Sequence, residues 1–186
     1  MTTNDARTPD APRTGAVDIC LRDQVGRFGV QLPKHCVRQI LDYADRDHPN
    51  ETGGIILGNY AATLDLALVS EVSGPPPDSR KKRWGFIRGI LGLQSLIHRL
   101  WKQRRYYLGE WHVHPDGPPI PSDTDHTQMR AIAENAAYQC PEPLLLIVGY
   151  TKTRDMTLWT AMAYVFPRGK PVIRLSHETQ TLEHRS

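Results

Sequence analysis

Apolar residues recur along the chain with two periods, one typical of helices and the other of strands. A first helix is predicted after Pro33 and before Pro49, because its apolar positions fall at i, i+3, i+4 and i+7: Val37, Ile40, Leu41 and Ala44. The same spacing predicts a second helix that ends near Arg104 and a third that starts near Ser122. Their apolar stripes are Leu93, Leu96, Ile97 and Leu100 in the second, and Met129, Ile132, Ala133 and Ala136 in the third.

Strand patterns separate these helices. Residues 53–58 form a short apolar run bounded by glycines, and residues 64–72 are rich in apolar residues, so the two are expected to pair as a hairpin. A loop is predicted at residues 74–77, because three consecutive prolines cannot sit inside a sheet. Three further strands are expected to end the chain as a meander, which makes the fold class mixed α/β: residues 144–150, 156–165 and 172–175.

One more strand is predicted over residues 107–114, and the alternation of its side chains between two faces determines which residues lie beside the two histidines. Side chains of a strand point to opposite faces in turn. One face is therefore expected to hold Tyr107, Gly109, Trp111 and Val113. The other is expected to hold Leu108, Glu110, His112 and His114.

Composition indicates one soluble globular domain. The chain has 186 residues, 39% hydrophobic and 23% charged, which excludes a fibrous or wholly disordered protein. Residues 1–15 are polar and aperiodic and are predicted to be a disordered tail, residues 16–176 the domain, and residues 177–186 a C-terminal tail. No apolar run is long enough for a membrane span, and three widely spaced cysteines suit a reducing compartment, so a cytoplasmic protein is expected.

Charge is distributed unevenly. The net charge is only +3, yet residues 80–105 contain nine lysines and arginines and no acidic residue. Aromatic residues are interleaved with these basic ones, a pattern that also occurs in nucleic-acid-binding surfaces. The simpler interpretation is a solvated helix face with its aromatics in the core, and nucleic acid is not expected as a partner.

Two histidines and a carboxylate indicate a metal centre. His112 and His114 lie at i and i+2 of the predicted strand, so their rings leave the same face, and a proline-rich loop leads back to Ser122 and Asp125. Two imidazoles and one carboxylate suit Zn²⁺ and leave a fourth position for water. Glu51, just before another strand, is a candidate acid/base, and Ser122 is a candidate donor to an oxyanion.

Several of these residues also fit plain structural roles. Ser122 and Asp125 have the spacing of a capping box, which would hold the carboxylate in place at a helix start. Glu110 shares the face of the histidines, and two interpretations stay open: it orients an imidazole, or it pairs with a nearby basic residue. Cys140 is expected to be a core residue rather than a nucleophile.

The complete spacing resembles a known family. Glu51, then His112-x-His114, seven residues, Ser122, two residues and Asp125 reproduce the signature of the JAMM metalloproteases, the catalytic branch of the MPN (JAB/Mov34) fold, over residues 33–175. The resemblance implies a mixed sheet flanked by helices in a three-layer, cytidine-deaminase-like arrangement. It also implies one Zn²⁺ per chain on His112, His114 and Asp125, with Glu51 as general acid/base and Ser122 as transition-state stabiliser.

A narrower resemblance concerns the substrate. The sequence of residues 109–115, which follows a predicted basic helix, looks most like that of the bacterial deconjugases of antiviral CBASS and related operons. It implies an isopeptidase or peptidase that cuts after the C-terminus of a ubiquitin-like protein or a CD-NTase tail, with an operon-encoded activating or conjugating enzyme as a further partner. In that family the basic insertion, residues 74–106, gates the substrate, and we expect residues 80–88 to guide an acidic tail. The alternative is a non-catalytic MPN scaffold.

Overall fold

A computed structural model describes residues 15–177. This part of the chain contains ten strands, three α-helices and a short 3₁₀ helix. The helices are α1 (Lys34–Asp47), α2 (Leu93–Trp101) and α3 (Asp123–Glu134), and the 3₁₀ helix is Ala136–Tyr138. The strands are β1 (Ile19–Arg22), β2 (Gly29–Leu32), β3 (Gly53–Tyr60), β4 (Leu66–Val72), β5 (Arg80–Lys82), β6 (Gly85–Ile87), β7 (Tyr106–Pro115), β8 (Leu144–Lys152), β9 (Thr157–Val165) and β10 (Ile173–His177).

Eight strands form a closed barrel in the order β1-β10-β9-β8-β7-β3-β4-β2. The expected hairpin is present as β3 and β4, and the expected meander as β8, β9 and β10. The mixed α/β class is confirmed, but the three-layer arrangement is not. Closure comes from β1 and β2, which the hydrophobic pattern did not predict: β2 pairs in parallel with β4, and β1 bridges β2 to β10.

Two hydrophobic clusters lie on opposite sides of the barrel wall. The first packs α1, through Cys36, Val37 and Ile40, against side chains from both halves of the barrel. The second lies under α2 and α3 and includes Leu100 and Met129. The face of β7 that carries the two histidines is on the side of this second cluster, so α3 is held over it by ordinary apolar burial.

A β-bulge in β7 changes the predicted alternation. The register with β3 shifts where Ile56 faces Gly109 and Leu57 faces Tyr107. Leu108 therefore joins Trp111 in the first cluster, and Tyr107 turns to the face of the histidines. The prediction that Tyr107 and Trp111 share a face of the strand was wrong. A bulge adds one residue to one strand of a pair and so reverses the alternation of faces, and the residue pattern does not mark its position. Gly109 is required there: its φ is 152°, and a Cβ would lie 1.8 Å from the Leu144 carbonyl oxygen.

Other predictions are corrected at element ends. Ala136 was expected in the buried stripe of the third helix but is exposed in the 3₁₀ helix, because α3 ends at Glu134. The hairpin of β5 and β6 lies in a segment without predicted strands. Apart from Gly15 and His177, both predicted tails lie outside the described residues. In residues 15–177, no helix has the length and apolar character needed to cross a membrane.

Candidate metal centre

Strand β7 presents its two histidines as a converging pair. The Nε2 atoms of His112 and His114 are 3.0 Å apart, and the two ring centroids are 4.8 Å apart. His114 Nδ1 lies 2.9 Å from the carbonyl oxygen of Pro118, in the proline-rich loop. A carbonyl can only accept, so Nδ1 carries the proton and the Nε2 lone pair of His114 is available to a metal.

Burial keeps His112 in the form that binds metals. Its side chain is 8% exposed, and this burial, reinforced by His114, lowers its pKa to about 4 even though Asp125 opposes the shift. The imidazole is therefore neutral at pH 7. A histidine that binds a metal must be uncharged, so this ring has no net proton to release when an ion binds.

Helix α3 supplies the carboxylate through its N-terminal cap. Ser122 and Asp125 form a complete capping box: Asp125 Oδ2 accepts the backbone N–H and the hydroxyl of Ser122, both at 2.7 Å, and Ser122 Oγ accepts the Asp125 N–H at 3.2 Å. The other carboxylate oxygen, Oδ1, lies 3.7 Å from His112 Nε2. The cap thus directs one oxygen of Asp125 to the histidines.

These three side chains fit a zinc ion. One ligand atom from each of His112, His114 and Asp125 can be chosen so that all lie within 4.8 Å of one another. Two imidazole nitrogens and one carboxylate oxygen, without sulfur, match the donor sets of hydrolytic zinc sites. The two Nε2 atoms, 3.0 Å apart, are close enough to share a proton in the metal-free protein or to bind one ion.

Glu51 lies beside this group, between α1 and β3. The β3–β7 register pairs Gly53 with His112, and the Val113 N–H donates to the Thr52 carbonyl oxygen at 2.8 Å, which brings Glu51 alongside His114. Burial, followed by the negative charge of Asp125, raises the pKa of Glu51 to about 7. A carboxyl group with that pKa can both take and return a proton near neutral pH.

The β5–β6 hairpin borders the centre. The Glu51 N–H donates to the Lys82 carbonyl oxygen at 2.8 Å, and Arg83 at the tip of the hairpin lies 3.4 Å from the Asp116 carboxylate. Phe86 covers Gly53, where a Cβ would lie 2.7 Å from Phe86 Cε1 and 2.9 Å from His112 Cβ. Sequence reasoning missed this packing, and the paired glycines at the start of β3 were its only signal.

Glu110 pairs with a basic residue, and none of its hydrogen bonds or ion pairs within residues 15–177 involves an imidazole. Its Oε1 lies 2.6 Å from Arg88 Nη2 and 2.8 Å from Arg88 Nε, and the Tyr107 hydroxyl donates to it at 3.3 Å. Of the two interpretations left open, ion pairing is the one observed. The sequence did not identify Arg88 as the partner of Glu110, since Arg88 is one of nine basic residues in its segment.

A cavity of about 1130 Å³ opens beside α2, away from the metal ligands. Arg88, Tyr107 and Tyr138 line it, whereas none of His112, His114, Asp125 and Glu51 does. The convergent donor atoms of the histidine pair therefore lie outside this cavity. Cys140 also borders this cavity, and burial raises the pKa of its thiol to about 11, as expected for a core residue.

Comparison with known proteins agrees with the motif. Residues 33–162 match the family of prokaryotic homologues of the JAB domain. The chain belongs to this family. A CD-NTase/cGAS isopeptidase of Enterobacter hormaechei subsp. hoffmannii is 36% identical over 163 residues, which cover 88% of this chain and 89% of that protein. One of the same name from Vibrio cholerae is 31% identical and covers 72% of this chain and 83% of that protein.

Two further similarities bear on chemistry and on fold. A probable metalloprotease of Sinorhizobium fredii, y4qB, is 27% identical over 64% of this chain and 74% of that protein. The solution structure of the Desulfitobacterium hafniense protein DSY2949 superposes with a TM-score of 0.54 at 19% identity, covering 82% of this chain and 94% of that one, which supports the fold alone. The JAB domain, with relatives named isopeptidase and metalloprotease, makes this chain a JAMM-type hydrolase.

Proposed function

We propose that this JAB-family hydrolase is a cytoplasmic zinc-dependent isopeptidase of a CBASS-like antiviral system. It would cleave after the C-terminus of a ubiquitin-like or tail-conjugated protein and free it from a target lysine or from a precursor. The observation that carries the proposal is the convergence of His112, His114 and Asp125 next to Glu51. The relatives named CD-NTase/cGAS isopeptidase support the substrate class, a conjugate of a CD-NTase tail.

In this proposal His112, His114 and Asp125 hold one Zn²⁺. When bound, the ion supplies a Lewis acid that polarises the scissile carbonyl and acidifies water. The ligand atoms need little rearrangement, because β7 holds both rings and the capping box holds the carboxylate.

Glu51 moves the proton. Its carboxylate removes a proton from the attacking water, and the resulting carboxylic acid returns that proton to the lysine amine as the C–N bond breaks. A pKa near 7 suits both directions of transfer. The hydrogen bond from its N–H to the Lys82 carbonyl oxygen fixes the backbone from which the side chain reaches the centre.

Ser122 would stabilise the developing oxyanion through its hydroxyl. That hydroxyl donates to Asp125 Oδ2 at 2.7 Å, so it must rotate about χ1 or its C–O bond to reach a substrate oxygen. The backbone N–H of Ser122 also donates to Asp125 Oδ2, so the carboxylate keeps one hydrogen bond when the hydroxyl turns away.

The surroundings suit an extended, acidic protein tail. Arg80 and Lys82 lie exposed on the hairpin that borders the centre, and Trp84, Ile87 and Ile120 are apolar and more than half exposed around it. An extended tail beside the short hairpin would gain main-chain hydrogen bonds in the manner of strand addition. A non-catalytic scaffold is less well supported, because a scaffold has no need for the five motif residues in this arrangement.

The test compares metal content and cleavage in matched variants. Wild type, Asp125→Ala and Glu51→Gln are purified with zinc, analysed by elemental analysis, and given a CD-NTase fused through its tail to a reporter protein. We expect one zinc per chain in wild type and Glu51→Gln, loss of zinc in Asp125→Ala, and cleavage in wild type only.

Asp123→Ala is the matched control, because Asp123 occupies the same first turn of α3 and belongs to no ligand group. It should keep both zinc and cleavage. Wild type without zinc would refute the metal centre, and zinc-loaded wild type without cleavage of the fusion would refute this substrate class.

A further inference from the structure

The Arg88–Glu110 ion pair is more deeply buried than the other ion pairs of the hairpin. The side chains of Arg88 and Glu110 are 10% and 11% exposed, against 50% and 37% for Arg83 and Asp116 and 35% and 12% for Lys81 and Asp47. An exposed pair contributes little, because water screens both charges. A buried charge that loses its partner is costly.

Both members of this pair have further polar partners. Arg88 Nη2 donates to the Tyr138 hydroxyl at 3.1 Å and Nη1 to the Gly89 carbonyl oxygen at 3.0 Å. Glu110 accepts from the Tyr107 hydroxyl at 3.3 Å. The network is therefore satisfied on several sides, which makes its geometry specific.

The network joins the hairpin to the strand of the metal ligands. Glu110 precedes His112 by two residues on the same face of β7, and Arg88 directly follows β6. Across the hairpin, β6 pairs with β5, whose last residue, Lys82, accepts the N–H of Glu51. Glu110 therefore holds the end of β6 through Arg88, and the pairing of β6 with β5 connects this end to Lys82, which contacts Glu51.

We propose that Arg88 and Glu110 are positioning residues that clamp the β5–β6 hairpin to β7 and thereby hold Glu51 at the metal centre. The clamp itself follows from the contacts above, whereas its effect on catalysis rests on the proposed function. Neither residue touches the substrate or the metal in this proposal. Their effect reaches the reaction through the Lys82 carbonyl oxygen.

The experiment removes either end of the clamp and makes three kinds of measurement. Arg88→Gln and Glu110→Gln are compared with wild type for zinc content, for the rate of tryptic cleavage after residues 80–83, and for kcat and KM on the tail fusion. We expect one zinc per chain, about tenfold faster tryptic cleavage in the hairpin, and a kcat lowered about tenfold with KM changed by less than about threefold.

Arg105→Gln is the matched control. Arg105, just before β7, pairs with Glu71 of β4 at 3.2 Å, but the side chains are 40% and 35% exposed and lie outside the hairpin. This variant should match wild type in all three measurements. The double variant Arg88→Gln/Glu110→Gln should be no worse than the poorer single variant, because the two residues act as one unit.

A milder change keeps the test decisive if either single variant unfolds. Tyr107→Phe leaves the ion pair and removes one hydrogen bond, so tryptic cleavage should rise and kcat should fall by about two- to threefold each. Unchanged tryptic cleavage would refute the clamp. A rise in KM alone would refute the positioning of Glu51, and loss of zinc would place the effect on the ligands.

Failure of the proposed function is distinguishable from failure of this inference. If zinc-loaded wild type cleaves no tail fusion, the substrate class is wrong, while the tryptic measurement still decides whether Arg88 and Glu110 hold the hairpin. If wild type cleaves the fusion and the variants keep a wild-type kcat, the positioning role is wrong and the isopeptidase stands.

Discussion

Asp125 divides its two carboxylate oxygens between structure and chemistry. Oδ2 completes the capping box with Ser122, and Oδ1 faces His112. A capping box is worth about 1 kcal/mol to a helix. In this fold it also sets the direction of a candidate ligand, so the two roles expected from the Ser-x-x-Asp spacing are compatible in one geometry.

Glu51 predicts a pH dependence of stability in the metal-free protein. Burial raises its pKa from 4.5 to about 7, so the folded state binds more protons than the unfolded state between these values. The stabilisation from this group is therefore fully present below pH 4.5 and is lost as the pH rises through 7. Because the side chain is only half-buried, we expect a loss of about 1–2 kcal/mol.

The measurement is urea unfolding of metal-free wild type and Glu51→Gln at pH 5 and pH 8. His112, whose pKa is lowered to about 4, has the opposite slope, since its stabilisation appears as the pH rises. Subtracting the Glu51→Gln data removes that contribution. Identical pH dependence in both proteins would contradict the raised pKa.

At the scale of elements, the β5–β6 hairpin predicts a charge effect on substrate binding. Lys81 and Arg83 make ion pairs, whereas Arg80 and Lys82 have no carboxylate within 4.0 Å in residues 15–177. For an acidic tail, Arg80→Glu/Lys82→Glu should raise KM about tenfold and reverse the salt dependence of kcat/KM, since screening then weakens repulsion.

Kinetics at two ionic strengths check this effect. Lys102→Glu/Lys170→Glu changes the net charge equally at exposed positions outside the hairpin and should change KM by less than about twofold. Unchanged cleavage and salt dependence after reversal of Arg80 and Lys82 would contradict a guiding role for the hairpin.

At the scale of the whole molecule, the barrel predicts that metal removal inactivates the protein without unfolding it. The ligands come from β7 and α3, and both elements are already buried in hydrophobic clusters, including Trp111 and Met129. Zinc at about 100 times its dissociation constant would add about 2.7 kcal/mol. Chelation should therefore lower Tm but leave the far-UV circular dichroism of a folded protein.

Asp125→Ala provides the control, because its Tm should be the same with and without chelator. This comparison within the variant cancels the loss of its helix cap. Unfolding of chelated wild type at 25 °C, as occurs in small zinc-folded domains, would contradict an independent barrel core.

Sequence pattern was informative where structure is local. The periodicity around Ile40 and Met129 predicted α1 and α3, and the apolar run after Gly53 predicted β3. It failed at Tyr107 and Ala136, where a bulge and a helix end reset the phase. The bulge and the helix end depend on the residues that pack against them in the fold, so no single segment encodes them.

By itself, the sequence determined the helices, most barrel strands, and the motif whose spacing identifies a JAMM-type hydrolase. Only the tertiary structure decided that β1 and β2 close a barrel, that the Arg80–Lys82 strand borders the centre, and that Glu110 pairs with Arg88. The physical reason is the sequence separation between the residues that interact. Periodicity and motif spacing arise within a few residues, whereas closure, burial of Glu51 and choice of ion-pair partner depend on contacts between distant segments.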